Sequence, residues 1–174
     1  TVARRIRETD IDKWQLYKIA KYCDELVDDG FGGKEPRFVC NAYISEQRGL
    51  GELVDDLTSC FMGMPIWNVN TMSFTVDMPS EPVTVFTNEN VVDGVFTYEG
   101  VAQKAIHTAV IVQYADKTDS YKSKSEYIAN NDAIARYGLN VKKVTSFGCD
   151  TRSQAVRYGN WILQSELRQQ NTVS

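Results

Sequence analysis

An α+β fold is predicted from three observations: apolar residues at helical spacing near the start, the same spacing at the end, and short alternating apolar runs between them, cut by Pro, Gly and Asn. The pattern predicts mixed small sheets or barrel-like β lobes with three main amphipathic helices. At 174 residues the chain can bury a real core, as one ordinary domain or two small joined lobes. A hydrophobic share of 43% with 24% charged residues belongs to a folded domain and not to a disordered tail.

The first helix is expected over roughly residues 12 to 28, with Leu16, Ile19, Ala20, Cys23 and Val27 on one face. Asp12 caps its free amides, Gln15 closes the box and Gly30 ends it. Residues 37 to 44 read as a strand, with Phe38, Cys40 and Ala42 opposite Val39. A second helix near 47 to 61 carries Leu50, Leu53, Val54, Leu57, Cys60 and Phe61, although Gly49 and Gly51 weaken its start. Gly63 and Pro65 mark its end.

From Ile66 to Asp77 the pattern is a hairpin, with Asn68 and Asn70 at the turn and Met72, Phe74 and Val76 on one face. Pro79 and Pro82 make 77 to 82 a rigid connector. That connector is the expected boundary between a helix-strand-helix-hairpin sublobe, 1–78, and a strand-rich sublobe ending in a helix, 79–174. Strands follow at 91 to 98 and 105 to 115, the second with both faces partly covered, since Val110, Val112 and Tyr114 oppose Ala109 and Ile111. After a polar turn at 116 to 120, a weaker strand spans 121 to 128. A short helical turn from Asp132 to Tyr137 stops at Gly138, and a strand covers 141 to 145. The last helix starts at a Thr151 and Gln154 capping box and turns Ala155, Gly159, Ile162 and Leu167 to one side, with Trp161 docking at its edge.

A net charge of −4 from scattered acids argues against long-range attraction to nucleic acid, although Arg4, Arg5 and Arg7 form a local basic patch or a solvated strand edge. No 18-residue apolar run is long enough to span a bilayer, and the first 30 residues lack the order of a secretion signal. A start at Thr1 and a stop just after a helical pattern lead to the expectation of a fragment of a longer polypeptide.

Each group able to carry chemistry has a plainer reading. Cys23, Cys40, Cys60 and Cys149 contain no CxxC pair, and with His107 as the sole histidine they read as buried or isolated free thiols before they read as a zinc site. Residues Asp28 to Lys34 lack the Lys-Ser/Thr of a phosphate loop and the ligand ladder of an EF-hand, so a flexible connection explains their glycines. Asp24 with Glu25, and Asp55 with Asp56, point in different directions on a helix and make poor acid-base pairs. A Cys149 and His107 dyad is physically conceivable, because amides at the start of the last helix could lower the thiol pKa; packing roles are the alternative. Trp14, Trp67 and Trp161 fit core or interface anchors better than base-stacking platforms. No catalytic, cofactor-binding or metal-ligating residue is assigned, and no cofactor or small-molecule ligand is expected.

The ordered stretches DKWQLYKIAKYCD (12–24), GGKEPRFVCN (32–41), DMPSEPV (77–83), NVVDGVFTY (90–98), IARYG (134–138), FGC (147–149) and TRSQAVRYGNW (151–161) sharpen the reading. Together they resemble the central part of the lambda-type bacteriophage tail-tip attachment, or host-specificity, protein J family, and the resemblance runs over nearly the whole chain. Asn68 to Asn70 and Asn160 depart from the family pattern. The resemblance implies a non-catalytic hub module at the distal tail, similar in broad architecture to contractile-tail baseplate hubs. Its implied partners are other copies of the chain in a virion trimer, tail-tube or distal-tail proteins, and distal host-recognition domains. It implies a place in the virion after synthesis in the host cytoplasm, and no catalytic residues. The alternative is a tail-associated cell-wall hydrolase, which would need suitable acids or a metal in a cleft.

Overall fold

The computed structural model describes residues 7–68, 71–100, 106–168 and 171–173. Helix α1 spans Lys13–Asp24, and the Asp12 carboxylate accepts the Gln15 amide at 3.0 Å, which satisfies one free donor of its first turn. Ile19, Leu16 and Cys23 turn inward from α1, while Ala20 stays exposed. The helix ends earlier than residue 28, because Glu25 turns to extended geometry and Leu26–Asp28 becomes strand β1, antiparallel to β2 (Lys34–Pro36). Gly30, at φ +80°, serves the turn of this small hairpin instead of ending a helix.

The strand expected at 37 to 44 is not formed, since its backbone groups have other partners. Arg37 and Phe38 donate to the carbonyls of Glu25 and Cys23, Val39 is held by the Gln154 side chain, and Asn41 donates to the Gly148 carbonyl. Helix α2 (Leu50–Ser59) starts after Gly49, which supplies no side-chain cap. The expected hairpin is present as β3 (Gly63–Trp67) against β4 (Met72–Val76). Met72 and Phe74 pack on Ile19 of α1, and Val54 and Phe61 close the same cluster from the α2 side.

Residues 77 to 90 form no strand, as the two prolines demand. The strand expected at 91 to 98 is mostly a tight turn, Val92–Gly94, with Asp93 at φ 58°. Only β5 (Tyr98–Gly100) pairs, antiparallel to β9 (Asn171–Val173).

The larger sheet has the order β7-β6-β8. Strand β6 (Ala109–Asp116) lies antiparallel to β7 (Lys122–Ala129) and parallel to β8 (Val141–Thr145), with the short helix α3 (Asn131–Tyr137) on the crossover. Helix α4 (Arg152–Arg168) covers one face. Val110, Val112, Tyr114 and Ile128 meet Ala155, Ile162 and Leu163 there, and burying each valine contributes roughly 1.5–3 kcal/mol. Gly159 lets the helix approach closely: a Cβ at this position would stand 2.7 Å from Ile128 Cδ1. Gln154 donates its amide to the Thr151 hydroxyl oxygen at 3.3 Å, but its side chain reaches Val39 and not the helix start, so half of the expected capping box forms.

Of the expected mixed small sheets or barrel-like lobes with three main helices, the small sheets form, while the barrel and the helix number need correction. Among the described residues there are four α-helices, and the sheets hold two or three strands each, without closure. Three strands cannot curl far enough to bond their own edges, and α4 buries the face that a barrel would turn inward. The α+β class itself holds.

Candidate functional site

The glycine-rich hairpin turn is filled by its own carboxylate. Asp29 Oδ1 accepts from the amides of Phe31 at 2.7 Å and Gly33 at 2.9 Å, the donors a phosphate would need. These bonds hold the Asp29 carboxyl below its ordinary pKa. The paired acids are divided in the same way: Glu25 binds Arg37 at 2.7 Å and Asp56 binds Arg48 at 2.9 Å. Arg4 and Arg5 of the basic patch lie outside the described residues, while Arg7 pairs with Asp10 at 3.1 Å.

His107 and Cys149 are not brought together. His107 lies just before β6, with Nδ1 2.8 Å from Glu166 Oε2, and Glu166 also binds Lys142 at 2.8 Å. Burial would raise the Glu166 pKa, but the bonds from Lys142 and His107 outweigh it and hold the carboxyl low. The Cys149 carbonyl accepts from Ala115, near the other end of β6. Eight residues of extended strand put roughly 25 Å between these positions. Cys149 is buried, its thiol faces the Thr151 carbonyl at 3.3 Å, and burial pushes its pKa up instead of activating it.

Where β6 and β7 meet the start of α4, an open recess of about 500 Å³ holds several charges. Its acids are mostly engaged, the exception being Asp150 Oδ1, which is buried without a hydrogen bond among the described residues. Asp116 binds Lys124 at 2.7 Å and both donors of Thr118, Glu126 binds Arg152 at 2.9 Å, and Glu35 binds Arg157 at 2.6 Å. The bond to Lys124, followed by those from Thr118, lowers the Asp116 pKa to about 2. Asp150, almost fully buried, accepts from Asn41 at 2.5 Å and has Lys117 3.8 Å away. Asp116, held low by its cation, is a weak base, and the recess holds charge pairs suited to structure. Among the described residues no group of three or more His, Cys, Asp or Glu is arranged to hold a metal ion.

The cysteines were only partly legible. Cys60 Sγ lies 3.2 Å from Cys40 Sγ and 3.2 Å from the Phe147 carbonyl oxygen. Gly148 lies beside both thiols, and a Cβ there would come within 2.6 Å of Cys40 Sγ. No spacing rule could have paired residues 40 and 60, because the contact arises from packing of a coil segment on the end of α2.

Apart from these groups, the chain carries exposed apolar surface. Between β4 and β5 the chain forms a strap, residues 77 to 97, whose bend is built by Asn90: its Oδ1 accepts the Thr87 amide at 2.7 Å and its Nδ2 donates to the Val85 carbonyl at 2.9 Å. The strap is anchored at its start by Asp77, which accepts from Trp161 Nε1 at 2.6 Å. Several of its apolar side chains nevertheless face solvent, with Val83 97% exposed and Val85, Phe86 and Val95 also uncovered. Trp14 on α1 and Trp67 on β3 are likewise exposed, at 80% and 58%, whereas Trp161, on α4 itself, is half-buried against the core beneath that helix. Of the three tryptophans, then, two have the exposure of interface anchors and one packs at a helix edge, as expected of it.

Comparison with known proteins gives the family of the chain. Residues 51–174 match the family model "Putative phage tail protein". Over 158 residues, 91% of this chain, it is 40% identical to the "Tip attachment protein J" of Escherichia phage SECphi27; over 171 residues, 97% of the chain, it is 32% identical to the protein of that name from Escherichia phage SECphi4. The chain spans only 13% and 15% of the length of these two relatives. A family match over most of the chain, with two relatives of one name, makes this chain a member of the phage tail-tip protein J family.

Proposed function

We propose that this segment is a non-catalytic structural module of the distal tail hub, joining the tail tube to host-recognition parts and helping to enclose the channel through which the genome leaves. The observation that carries the proposal is the strap at residues 77 to 97. Its bend is internally organised while Val83, Val85 and Phe86 lie bare, an arrangement that suits a surface awaiting a neighbour. In this reading the neighbours are other copies of the chain, in a closed trimer, and the adjoining tail proteins. Sublobes 1–78 and 79–174 move as one piece, supported by the bonds that join Glu35, Val39 and Asn41 to α4 and the residues before it. Receptor engagement is passed on geometrically, as a change of register between such rings.

Cryo-electron microscopy of an intact tail tip containing this chain tests the reading. Density that places the module in a closed ring below the tail tube, with the strap covered, is the expected result. A peripheral placement over a substrate cleft, with the strap bare, would overturn it.

A further inference from the structure

We propose that Cys40 and Cys60 are a site of reversible disulfide formation, which fastens the extended segment at 37 to 41 to the end of α2. Their sulfurs stand 3.2 Å apart, so closure to a bond of about 2 Å needs a movement of only about 1 Å. Both backbones are already held in place: Val39 by Gln154, Asn41 by the Gly148 carbonyl, and Cys60 by the last turn of α2. Gly148 preserves the approach, since any side chain there would displace the Cys40 sulfur.

The two thiols differ in a way that orders the chemistry. Cys40 is exposed and Cys60 is buried. Burial, reinforced by the contact with Cys40, raises the Cys60 pKa, so Cys60 is a poor point of entry for an oxidant. A low-molecular-weight disulfide is attacked by the Cys40 thiolate, which forms a mixed disulfide and expels one thiol. Cys60 then gives up its proton and attacks the Cys40 sulfur, expelling the second thiol. Two protein thiols and one small disulfide thus become one protein disulfide and two small thiols. Cys149 is a poorer partner, with its thiol turned to the Thr151 carbonyl, and Cys23 sits in the separate cluster around α1. In a reducing cell interior the pair stays open, and in an oxidising exterior it closes.

The test equilibrates the purified chain in buffers of graded reduced and oxidised glutathione, alkylates free thiols with a maleimide, and maps tryptic peptides without reduction. Trypsin places Cys40 in the peptide 38–48 and Cys60 in the peptide 49–104. The expected result at the oxidising end is these two peptides joined, with Cys23 and Cys149 alkylated. The oxidised protein should melt roughly 5–10 °C above the reduced one. Cys40→Ser, an exposed change, should erase that difference and leave the reduced midpoint in place. A stable glutathione adduct on Cys40, a bond from Cys60 to Cys149, or four alkylated thiols at every ratio would each overturn the proposal. Because the thiols are read directly, the outcome does not depend on the tail-hub role.

Discussion

At the scale of single residues, Gly148 and Asp116 show how little of a side chain's role is set by its type. Gly148 is needed twice over, by a backbone at φ +65° and by the sulfur of Cys40, which stands 2.6 Å from where a Cβ would sit. Gly148→Ala should cost about 2 kcal/mol and lower the melting midpoint by about 4–8 °C. Adding Cys40→Ala should restore the steric part of that loss and leave the backbone part, which a double-mutant cycle in urea would separate. Asp116 bears on pH dependence. Its folded pKa of about 2 lies below the ordinary 3.8, so its stabilising contribution is complete above pH 3.8 and fades as the pH falls toward 2. Thermal midpoints measured from pH 5 to pH 2 should therefore fall less steeply in Asp116→Asn than in the native chain. Equal slopes would mean that the Lys124 and Thr118 bonds do not bias this carboxylate.

Elements here hold together through a few long-range ties. Gln154 faces inward from the first turn of α4 and completes the backbone of Val39 with both ends of its amide, at 3.1 and 3.0 Å. Gln154→Ala takes the partner from that half-buried N–H and C=O, an expected loss of about 1–3 kcal/mol. Hydrogen exchange should become faster at residues 38 to 41 before it changes in β6. The β6 to α4 contact is the opposite case, made of packing alone. Val112 is fully buried there, so Val112→Ala should cost about 2 kcal/mol or more and lower the urea midpoint without changing the slope. The periodicity of α1, β4, β6, β8 and α4 was plain because each keeps one face in a core, which leaves a period in the sequence. Residues 37 to 44 alternate like a strand and yet bond to a helix side chain and two loops. Alternation records which side faces inward and is silent on what supplies the hydrogen bonds.

For the molecule as a whole, stability and assembly should separate. Phe86 is exposed and touches neither core cluster, so Phe86→Ser should shift folding stability by less than about 0.5 kcal/mol. In a virion it should reduce incorporation into tails, read as fewer complete particles by electron microscopy while the isolated chain keeps its melting midpoint. Normal particle yield with Val83 and Phe86 both changed to Ser would remove the strap from the assembly surface.

The sequence by itself determined the α+β class, the helix beginning at Asp12, the hairpin at β3 and β4, the α4-capped end and the family. All of these are local patterns or ordered motifs, carried by neighbours along the chain. Only the tertiary structure decided that the described residues hold four α-helices and small open sheets, with no barrel closed, that His107 and Cys149 stand at opposite ends of β6, and that Cys40 meets Cys60 beside Gly148. The physical reason is common to all three. Strand number in a sheet and distance between distant residues depend on how elements pack, and packing energy depends on shape and area, neither of which has a period that one chain can display.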